Sequence, residues 1–379
     1  MTPADGDGGR IKALAVDKAL ALGAAAVRVT DAFADRASQD RMREAFTRGD
    51  FATWGYDDAY AQRAADPAEL LDGAKSVVCI AFSYATPPRA ERPLRGRVSN
   101  YAWSADYHRR VRAVLDDVAR AIDAAAGSCV TAIACDTRPI AERAFAARAG
   151  LGWIGKHTNL IAPGSGSFVF LGEIVTTLAL PADEPLRKTC GSCTRCVDAC
   201  PTRALRGDYT IDATRCISDL TQRTDGIPRE LRALVGTWVW GCDLCQTVCP
   251  PTRIAGMSHG GDNLPLDDEC AAPPLLELLR LRSGTFKRRY GKTAMGWRGA
   301  AVLRRNAAVA LGNARDRSAV AALSEALERD PHPMVRGHAA WALGRIASPS
   351  AISALQRCDG AEQDESVRGE IRAALREGR

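Results

Sequence analysis

Eight of the thirteen cysteines form two runs whose spacing is typical of iron–sulfur ligands. The first run is Cys190-x2-Cys193-x2-Cys196-x3-Cys200 followed by Pro201, the spacing of bacterial ferredoxins. The second run is Cys216 followed, after 25 intervening residues, by Cys242-x2-Cys245-x3-Cys249 and Pro250. Thiolates are soft, charge-donating ligands that suit iron. The sequence therefore predicts two 4Fe-4S clusters.

Two-cluster ferredoxins fold back on themselves, so that the fourth cysteine of each run binds the cluster of the other run. The first cluster is then held by Cys190, Cys193, Cys196 and Cys249. The second is held by Cys216, Cys242, Cys245 and Cys200. A pair of zinc sites is the alternative, because CxxC pairs also bind zinc, but zinc sites do not repeat this longer pattern. The remaining cysteines are predicted to be small core residues, namely Cys79, Cys129, Cys135, Cys270 and Cys358.

The chain before the cysteines must hold the groups that use the electrons. Asp136 follows a predicted buried strand, Cys129 to Cys135, and precedes a predicted helix. It is either a helix N-cap or a site residue, because Asp is favoured in both settings. Tyr107-His108 and the glycine-rich stretch 149–159 are further candidates, and that stretch lacks the GxGxxG spacing of dinucleotide sites. We therefore expect a cofactor other than a dinucleotide.

A basic segment lies beyond the cysteines. From Leu278 to Arg315 there are ten Lys or Arg and no Asp or Glu, whereas the rest of the chain has 41 basic against 45 acidic residues and a net charge of −4. A concentrated basic segment on a mildly acidic protein is the pattern of a phosphate-backbone contact. The alternative is a solvated basic face without a partner.

The elements that position these residues fall into successive domains. Residues 1–10 are predicted to be a disordered N-terminus and residues 11–182 an α/β domain. Helices are expected over Ile11 to Gly23 and Val111 to Ala126, and strands over Ser76 to Ser83 and Phe168 to Leu178. Residues 183–275 form a two-cluster ferredoxin-like domain.

Residues 276–379 contain the basic segment and an internal repeat. From Leu303 onward the sequence repeats with a period of 32, as in Ala310-Leu311-Gly312 against Ala342-Leu343-Gly344. Alanine and leucine recur at helical spacing, and Asp330-Pro331 and Ser348-Pro349 break the helices. This predicts HEAT-like α-helical repeats, so that the whole chain is a multidomain α+β protein.

Composition sets the class of protein. The chain has 379 residues, of which 46% are apolar, enough for two or three globular domains. No apolar stretch reaches the roughly 20 residues of a membrane helix, and the N-terminus lacks a signal pattern. Thirteen cysteines then favour metal ligation in a reducing compartment. We expect a cytoplasmic monomer with no membrane partner.

Together these motifs resemble the epoxyqueuosine reductases, the cobalamin-dependent enzymes that complete queuosine in tRNA. The resemblance covers residues from about 10 to 300 and, in longer members, the helical tail. It rests on both cysteine runs and on the segments 105–108, 135–143, 150–156 and 241–246. His157 stands where the family often has Asn, which concerns that side chain alone.

The resemblance implies that the domain of residues 11–182 binds a base-off cobalamin, which the clusters reduce, and that Asp136 is the general acid. Removing an epoxide oxygen as water takes two electrons and two protons. For Asp136 to keep its proton near neutral pH, we expect burial beside the corrin to raise its pKa. The expected cobalamin contacts are Tyr107, His108, Asp136, Lys156, Ser218, Gly241 and Asp243.

The resemblance also gives the basic segment a partner, the anticodon stem-loop of a tRNA that carries epoxyqueuosine. The expected phosphate contacts are Arg280, Arg282, Lys287, Arg288, Arg289, Lys292, Arg298, Arg304 and Arg305. The interleaved aromatic residues Phe286, Tyr290 and Trp297 are expected to stack on unpaired bases. Electrons would come from an external low-potential donor.

Two other readings compete with this one. Another corrinoid iron–sulfur reductase, such as a reductive dehalogenase, has a similar layout, although those enzymes are typically exported. A ferredoxin-like electron carrier is the alternative from a different class. The roughly 180 residues before the first cluster and the solenoid after the last argue against a simple carrier.

Overall fold

The structure, a computed structural model, describes residues 5–51, 53–87, 89–128, 130–258 and 267–377. The strands in these ranges are β1 (Ala26–Asp31), β2 (Ser76–Ser83), β3 (Arg97–Val98), β4 (Thr131–Ala134), β5 (Trp153–Ile154), β6 (Leu160–Ile161), β7 (Val169–Thr176) and β8 (Trp238–Trp240). The helices of the N-terminal half are α1 (Asp5–Ala21), α2 (Arg36–Thr47), α3 (Asp58–Ala65), α4 (Tyr107–Ala126) and α5 (Glu142–Arg148). The predicted multidomain α+β class is confirmed.

The N-terminal domain is built on a four-stranded sheet in the order β1-β2-β7-β4. Helices α1 and α4 cover one face, where Ile11 and Leu115 pack on Ile80. Helix α5 covers the other face through Phe145. All neighbouring strands run antiparallel, so the domain predicted as α/β is α+β. A strand that is covered on both faces has a continuous apolar sequence whether its neighbours run parallel or antiparallel. The sequence therefore could not predict the direction of these strands.

The N-terminal helix begins earlier than predicted. Helix α1 starts at Asp5, whereas a helix from Ile11 and a disordered segment over residues 1–10 were expected. Residues 1–4 lie outside the described residues. Arg10 pairs with Asp7 one turn earlier, and a Cβ on Gly8 would lie 2.7 Å from the Ala179 carbonyl oxygen, so this turn packs against the sheet domain. Close packing therefore extends the helix into a segment with little sequence signal.

The cysteine-rich segment consists of short helices around the ligand loops. These helices are α6 (Arg195–Asp198), α7 (Ile217–Gln222), α8 (Arg229–Val235), α9 (Leu244–Thr247) and α10 (Pro250–Ser258). Helices α6 and α9 occupy equivalent places, each between the second and fourth cysteines of its run, and they pack against each other. The two runs therefore face one another as in a two-cluster ferredoxin.

The C-terminal region is a stack of helices. They are α11 (Asp268–Ala271), α12 (Leu275–Leu279), α13 (Ser283–Tyr290), α14 (Ala300–Ala314), α15 (Val320–Arg329), α16 (Pro333–Ile346), α17 (Pro349–Asp359) and α18 (Glu365–Glu377). The period of 32 has a packing cause. A Cβ on Gly312 would lie 2.8 Å from the Cα of Ala342, and a Cβ on Gly344 would lie 2.7 Å from the Cβ of Ala374. Each glycine lets one repeat approach the next closely.

One hydrophobic core joins the helical stack to the second half of the cysteine-rich segment. It runs from Ile217 and Trp240 through Leu303 to Ile371. The predicted boundary at residue 276 therefore does not separate two cores. The helical stack instead supports the segment that carries the second cysteine run.

Candidate active site

Asp136 lies just beyond the end of β4, as predicted. Helix α5 begins at Glu142 with Ala141 at its N-cap, so Asp136 does not cap that helix. Its backbone is in the left-handed region, with φ at +51°. The Asp136 N–H donates to Glu142 Oε1 over 2.6 Å, which holds this turn. The N-cap alternative is therefore excluded, and a site role for Asp136 stays the prediction.

His108 connects Asp136 to a second carboxylate. Its Nε2 lies 3.0 Å from Asp136 Oδ2, and its Nδ1 lies 2.6 Å from Asp106 Oδ1. Asp106 also caps α4 by accepting from the His108 N–H. The hydrogen bond to Asp136, with a further contribution from Asp106, raises the pKa of His108. An ionised carboxylate can only accept a hydrogen bond, and a neutral imidazole has one N–H. Because both ring nitrogens of His108 lie within hydrogen-bond distance of a carboxylate, the triad holds one proton more than a neutral histidine between two carboxylates would.

Tyrosines surround the exposed carboxylate of Asp136. The Tyr107 ring stacks between Phe170, 4.0 Å away, and His108, 4.1 Å away. Burial and the charge of Asp136 raise the pKa of Tyr56, and burial raises the pKa of Tyr60 to about 12. Tyr56 and Tyr60 were missed in the sequence, where their only signal is an aromatic-rich loop that ends in α3.

A buried pair of carboxyl groups lies behind the Asp136 turn. Glu173 on β7 is 0% exposed and pairs across the sheet with Cys79 and Ala134. No N–H or O–H of the described residues donates to its oxygens, and its neighbouring carboxyl is Glu142. Burial, reinforced by this contact, raises the pKa of Glu173 far above its usual range, and burial raises the pKa of Glu142 to about 7. Glu173 was noted in the sequence only as an interruption of an apolar strand.

Thiols of the two cysteine runs are neighbours in the structure, as the predicted crossed ligation requires. Burial raises the pKa of Cys249, and the thiols of Cys190 and Cys193 in the other run add to this shift. Burial raises the pKa of Cys216 to about 11, with Cys200 as its neighbouring thiol. Across the described ranges, no three possible ligand side chains converge tightly enough for a single metal ion. The described cysteines form no disulfide.

Four of the five cysteines outside the runs are buried, as predicted: Cys79, Cys135, Cys270 and Cys358. Cys129 lies outside the described residues.

A chain of polar contacts links the second cysteine run to the tyrosines near Asp136. Gln222 donates to the hydroxyl and carbonyl oxygens of Ser218, two residues after Cys216. The Tyr101 hydroxyl donates to Gln222 over 3.4 Å and accepts from Trp240 over 2.8 Å. The Tyr101 ring meets the edge of Tyr107. The second run therefore lies on the side of Tyr107, and Ser218, Gln222 and Tyr101, all partly exposed, connect the two.

Gly241 lies beside Ser99 and Tyr101. Its φ is +65°, and a Cβ there would lie 2.6 Å from the Cβ of Ser99. The adjacent Asp243 is buried, and its carboxylate accepts from the Ser99 hydroxyl over 2.5 Å and from the Asn100 N–H over 2.7 Å. Burial raises its pKa to about 6. Asp243 holds the 99–100 segment through these bonds, and its expected cofactor contact stays a prediction.

The glycine-rich stretch holds the first cysteine run. Lys156 donates to the carbonyl oxygen of Gly191, next to Cys190, over 2.9 Å. This bond ties Lys156 to a ligand loop, and its expected cofactor contact stays a prediction. His157 is buried, its Nδ1 accepts from the Asn159 N–H, and burial lowers its pKa to about 4. His157 is a neutral structural residue of this turn.

The basic segment separates into exposed and structural residues. Arg305 is 0% exposed and donates to backbone oxygens of Leu220, Arg223 and Asp225, so its predicted phosphate contact is wrong. Arg304 is engaged with Asp330. Arg280 pairs with Glu325, and Arg289 pairs with Glu269 and Glu277. The more open basic residues are Arg282, Lys287, Arg288, Lys292 and Arg298.

Of the three aromatic residues expected to stack on bases, two are buried and one is exposed. Phe286 and Tyr290 are buried in the helical core and cannot stack on bases. Trp297 is 52% exposed, and the Arg298 guanidinium lies 3.7 Å above its ring. Its other neighbour is Trp54, at a centroid distance of 5.8 Å. Trp54 stacks on Tyr56, which stacks on Tyr60, so an aromatic strip leads from the basic segment to Asp136.

A cleft of about 450 Å³ lies next to Asp243. It is lined by Asn100 and Asp243 and by the aromatic rings of Trp103, Phe168 and Trp238. Among its charged lining residues, Arg89 and Arg92 pair with Asp268, and Arg97 pairs with Glu91. Such a cleft has the size and the mixed apolar and charged lining of an organic-ligand site.

Comparison with known families agrees with these features. The 4Fe-4S double cluster binding domain matches residues 189–252, and HEAT repeats match residues 299–376. These matches decide against the zinc alternative. The double-cluster domain can carry electrons, and the neighbouring sheet domain holds the triad of Asp106, His108 and Asp136, which can supply a proton. This combination defines an iron–sulfur oxidoreductase. The family described as epoxyqueuosine reductase QueG, DUF1730, matches residues 64–137.

Relatives extend this match over most of the chain. An epoxyqueuosine reductase of Bacillus anthracis is 36% identical over 329 residues, which are 85% of this chain and 86% of the relative. The chain belongs to the epoxyqueuosine reductase family. No helix of the described residues is long and apolar enough to cross a membrane.

Solved structures show the same fold. An epoxyqueuosine reductase with an epoxyqueuosine-modified tRNA-Tyr stem loop has 33% identity and a TM-score of 0.90, covering 97% of this chain and 98% of that one. The Bacillus subtilis enzyme with its catalytic aspartate loop swung out of the active site has 33% identity and a TM-score of 0.89, covering 97% and 99%.

Proposed function

We propose that this protein reduces epoxyqueuosine to queuosine at the wobble position of tRNA, in the cytoplasm, with Asp136 as the proton donor. The family membership supports the substrate. The observation that carries the catalytic assignment is the triad of Asp106, His108 and Asp136 on the side of the second cysteine run. Family membership also argues against a dehalogenase and against a simple electron carrier.

The triad supplies a proton at a defined atom. Protonated His108 donates from Nε2 to Asp136 Oδ2, and transfer of this proton to Oδ2 makes Asp136 an acid. Protonation of the departing epoxide oxygen makes it a better leaving group. The side chain of Asp136 is 57% exposed, so the protein alone does not bury it as expected from the sequence. His108, rather than burial, keeps a proton available to Asp136.

The residues fit a bound cobalamin between the triad and the second cysteine run. Tyr107, His108, Ser218 and Gly241 would hold it there, and Asp243 lines the adjoining cleft, whereas Lys156 donates to the ligand loop of the first run. The cleft of about 450 Å³ beside Asn100 adds volume for a ligand as large as cobalamin. When bound, cobalamin supplies a low-potential two-electron centre. The stacked rings of Tyr107 and Phe170, with Tyr101 at a T-shaped contact to Tyr107, provide aromatic surface beside this space.

Electrons reach the site through the two clusters. The first cluster is held by Cys190, Cys193, Cys196 and Cys249, and the second by Cys200, Cys216, Cys242 and Cys245. The contact between α6 and α9 keeps the two clusters adjacent, and the second lies on the active-site side.

The tRNA lies along the exposed basic residues and the aromatic strip. Arg282, Lys287, Arg288 and Lys292 provide phosphate contacts, and Trp297 with Trp54 offers a stacking surface for unpaired bases beside the wobble nucleotide. The relative solved with a modified stem loop supports this partner.

Single-turnover kinetics of Asp136→Asn tests the acid assignment. Asn tolerates left-handed backbone and keeps the shape of the side chain, so the fold is expected to be unchanged. With loaded and pre-reduced enzyme, loss of the acid is expected to slow queuosine formation about 100-fold or more. Asp116→Asn, an exposed site on α4, is the matched control. A rate equal to that of the control would remove Asp136 from the acid role.

A further inference from the structure

The ligand loop of the first cluster reaches the protein surface. Cys193 is exposed, as are Gly191, Ser192 and Thr194 around it. An open recess is lined by residues 189–195 and Pro250. The four cysteines of the second cluster are at most partly exposed. Electrons that arrive from another molecule therefore meet the first cluster first.

The surface around this loop is positively charged. The segments 185–197 and 244–257 contain Arg187, Lys188, Arg195 and Arg253 and no Asp or Glu. All four are exposed. None of them is paired with a carboxylate among the described residues, in contrast to the arginines of the solenoid. Two exposed carboxylates adjoin these residues: Glu184 precedes Arg187 in the chain, and Asp198 lies in the recess that Arg195 and Arg253 line. Four positive charges against two negative ones leave a surplus of +2, which attracts a negatively charged partner over a Debye length.

Apolar side chains adjoin the charges. Helix α10 begins directly after the ligand Cys249 and presents Ile254, 61% exposed, and Met257, 77% exposed. Ile254 and Met257 are three residues apart on this helix and are therefore neighbours on its surface. A patch that combines Met and Ile with a basic rim has the composition of a protein-binding face.

We propose that this face docks an acidic ferredoxin that delivers electrons to the first cluster. We call it the entry face, formed by Arg187, Lys188, Gly191, Cys193, Arg195, Arg253, Ile254 and Met257. Each 4Fe-4S cluster accepts one electron at a time, so a carrier that donates single electrons is the matching partner. In each docking event the cluster of the ferredoxin is oxidised and the first cluster is reduced, and two events supply the pair of electrons for one epoxide.

The chemistry of the entry face favours a protein over RNA. The phosphate contacts already have a separate basic segment, and exposed Met257 and Ile254 would gain nothing from a phosphate backbone. The inference rests on the proposed function, because it identifies the source of the electrons that the reduction consumes. Its test does not depend on queuosine formation, since it follows cluster reduction without tRNA.

Stopped-flow bleaching of the iron–sulfur absorbance measures the docking. The full chain with both clusters loaded is mixed with a reduced acidic plant-type ferredoxin, at low and high salt. In Lys188→Glu/Arg195→Glu, the second-order rate constant at low salt is expected to fall at least about 10-fold, because steering is lost. The methyl viologen radical, which needs no docking, is expected to reduce variant and wild type within about twofold. The matched control is Arg317→Glu/Arg329→Glu, an exposed pair on the solenoid, which should leave the ferredoxin rate unchanged.

A second variant tests the apolar part. Ile254→Asp changes an exposed side chain of α10 that does not line the cleft beside Asn100, and it is expected to slow reduction by ferredoxin but not by viologen. An unchanged ferredoxin rate in the charge-reversed protein would overturn the proposal. So would a charge-sensitive reaction with flavodoxin hydroquinone but not with ferredoxin. A loss of tRNA affinity in Lys188→Glu/Arg195→Glu, with normal ferredoxin kinetics, would assign the face to RNA.

Discussion

Asp136 owes its position to two contacts that a sequence does not display. The chain enters the left-handed region at this residue, which Asp and Asn tolerate better than other side chains. Glu142, six residues later, accepts the Asp136 N–H, and His108 reaches the side chain from α4. The sequence predicted a strand-end aspartate but left an N-cap equally open, because both look alike until the start of α5 is known.

The carboxyl pair of Glu142 and Glu173 makes stability depend on pH. The pKa of Glu142 is raised in the folded protein to about 7 from an ordinary 4.5, and that of Glu173 is raised further. The stability that goes with a raised carboxyl pKa is present below about pH 4.5 and is lost as the pH rises through the folded value.

Glu142→Gln is therefore expected to flatten the loss of stability between pH 5 and pH 8. Glutamine keeps an acceptor for the Asp136 N–H but carries no charge beside Glu173. We expect Tm at pH 8 to rise relative to wild type, by about 2–4 °C for each kcal/mol of relieved repulsion. Thermal scans of the loaded protein at both pH values measure the difference. If Tm changes by the same amount between pH 5 and pH 8 in wild type and variant, Glu142 does not titrate in that range.

At the scale of elements, α14 is the joint between the helical stack and the second cluster. Arg305 and Asn306 lie on its buried side and donate to backbone oxygens around α7, which follows the ligand Cys216. Asn306 also donates to the Val239 carbonyl oxygen on β8. These contacts explain why the core is continuous across residue 276.

Arg305→Ala is expected to destabilise the protein by about 3 kcal/mol or more, because several buried carbonyl groups lose their donor and a cavity forms. The second cluster should be lost more readily, since α7 is no longer held. Denaturation curves and iron content per chain measure both effects. Arg282→Ala, on the exposed side of the same basic segment, should leave both unchanged. Normal stability of Arg305→Ala together with weakened tRNA binding would restore the original phosphate role.

The elements that repeat or alternate could be predicted, and those that depend on tertiary contacts could not. Strand β2 has the predicted bounds, and the period of 32 reflects Gly312 and Gly344. The cysteine spacing likewise encodes local loops. Strand direction in the sheet, the burial of Arg305, Phe286 and Tyr290, and the aromatic strip from Trp54 depend on residues far apart in sequence, which spacing does not report.

At the scale of the whole molecule, charge and aromatic surface lead from the solenoid to the active site. The exposed basic residues of α13 continue through Arg298 and Trp297 to the strip that ends at Tyr60. A tRNA that follows this route brings its wobble nucleotide to Asp136 while its phosphates stay on the basic segment.

Binding of a tRNA anticodon stem-loop should therefore weaken with salt. Each phosphate contact contributes about 0.7–0.9 to the slope of log affinity against log salt concentration. Lys287→Ala/Arg288→Ala is expected to lower that slope by about 1.4–1.8, whereas Trp297→Ala should weaken binding at every salt concentration without changing the slope. Fluorescence titrations at four salt concentrations measure both. A slope unaffected by Lys287→Ala/Arg288→Ala would place the phosphate contacts elsewhere.

The most direct test of the central claim is an anaerobic reaction on tRNA that carries epoxyqueuosine. The enzyme is loaded with both clusters and cobalamin and supplied with a low-potential reductant, and the digested nucleosides are analysed by mass. We predict that epoxyqueuosine is converted to queuosine, with the loss of one oxygen atom, and that Asp136→Asn retains little of this activity. Recovery of epoxyqueuosine alone, from a fully loaded and reduced wild-type enzyme that binds the tRNA, would contradict the account.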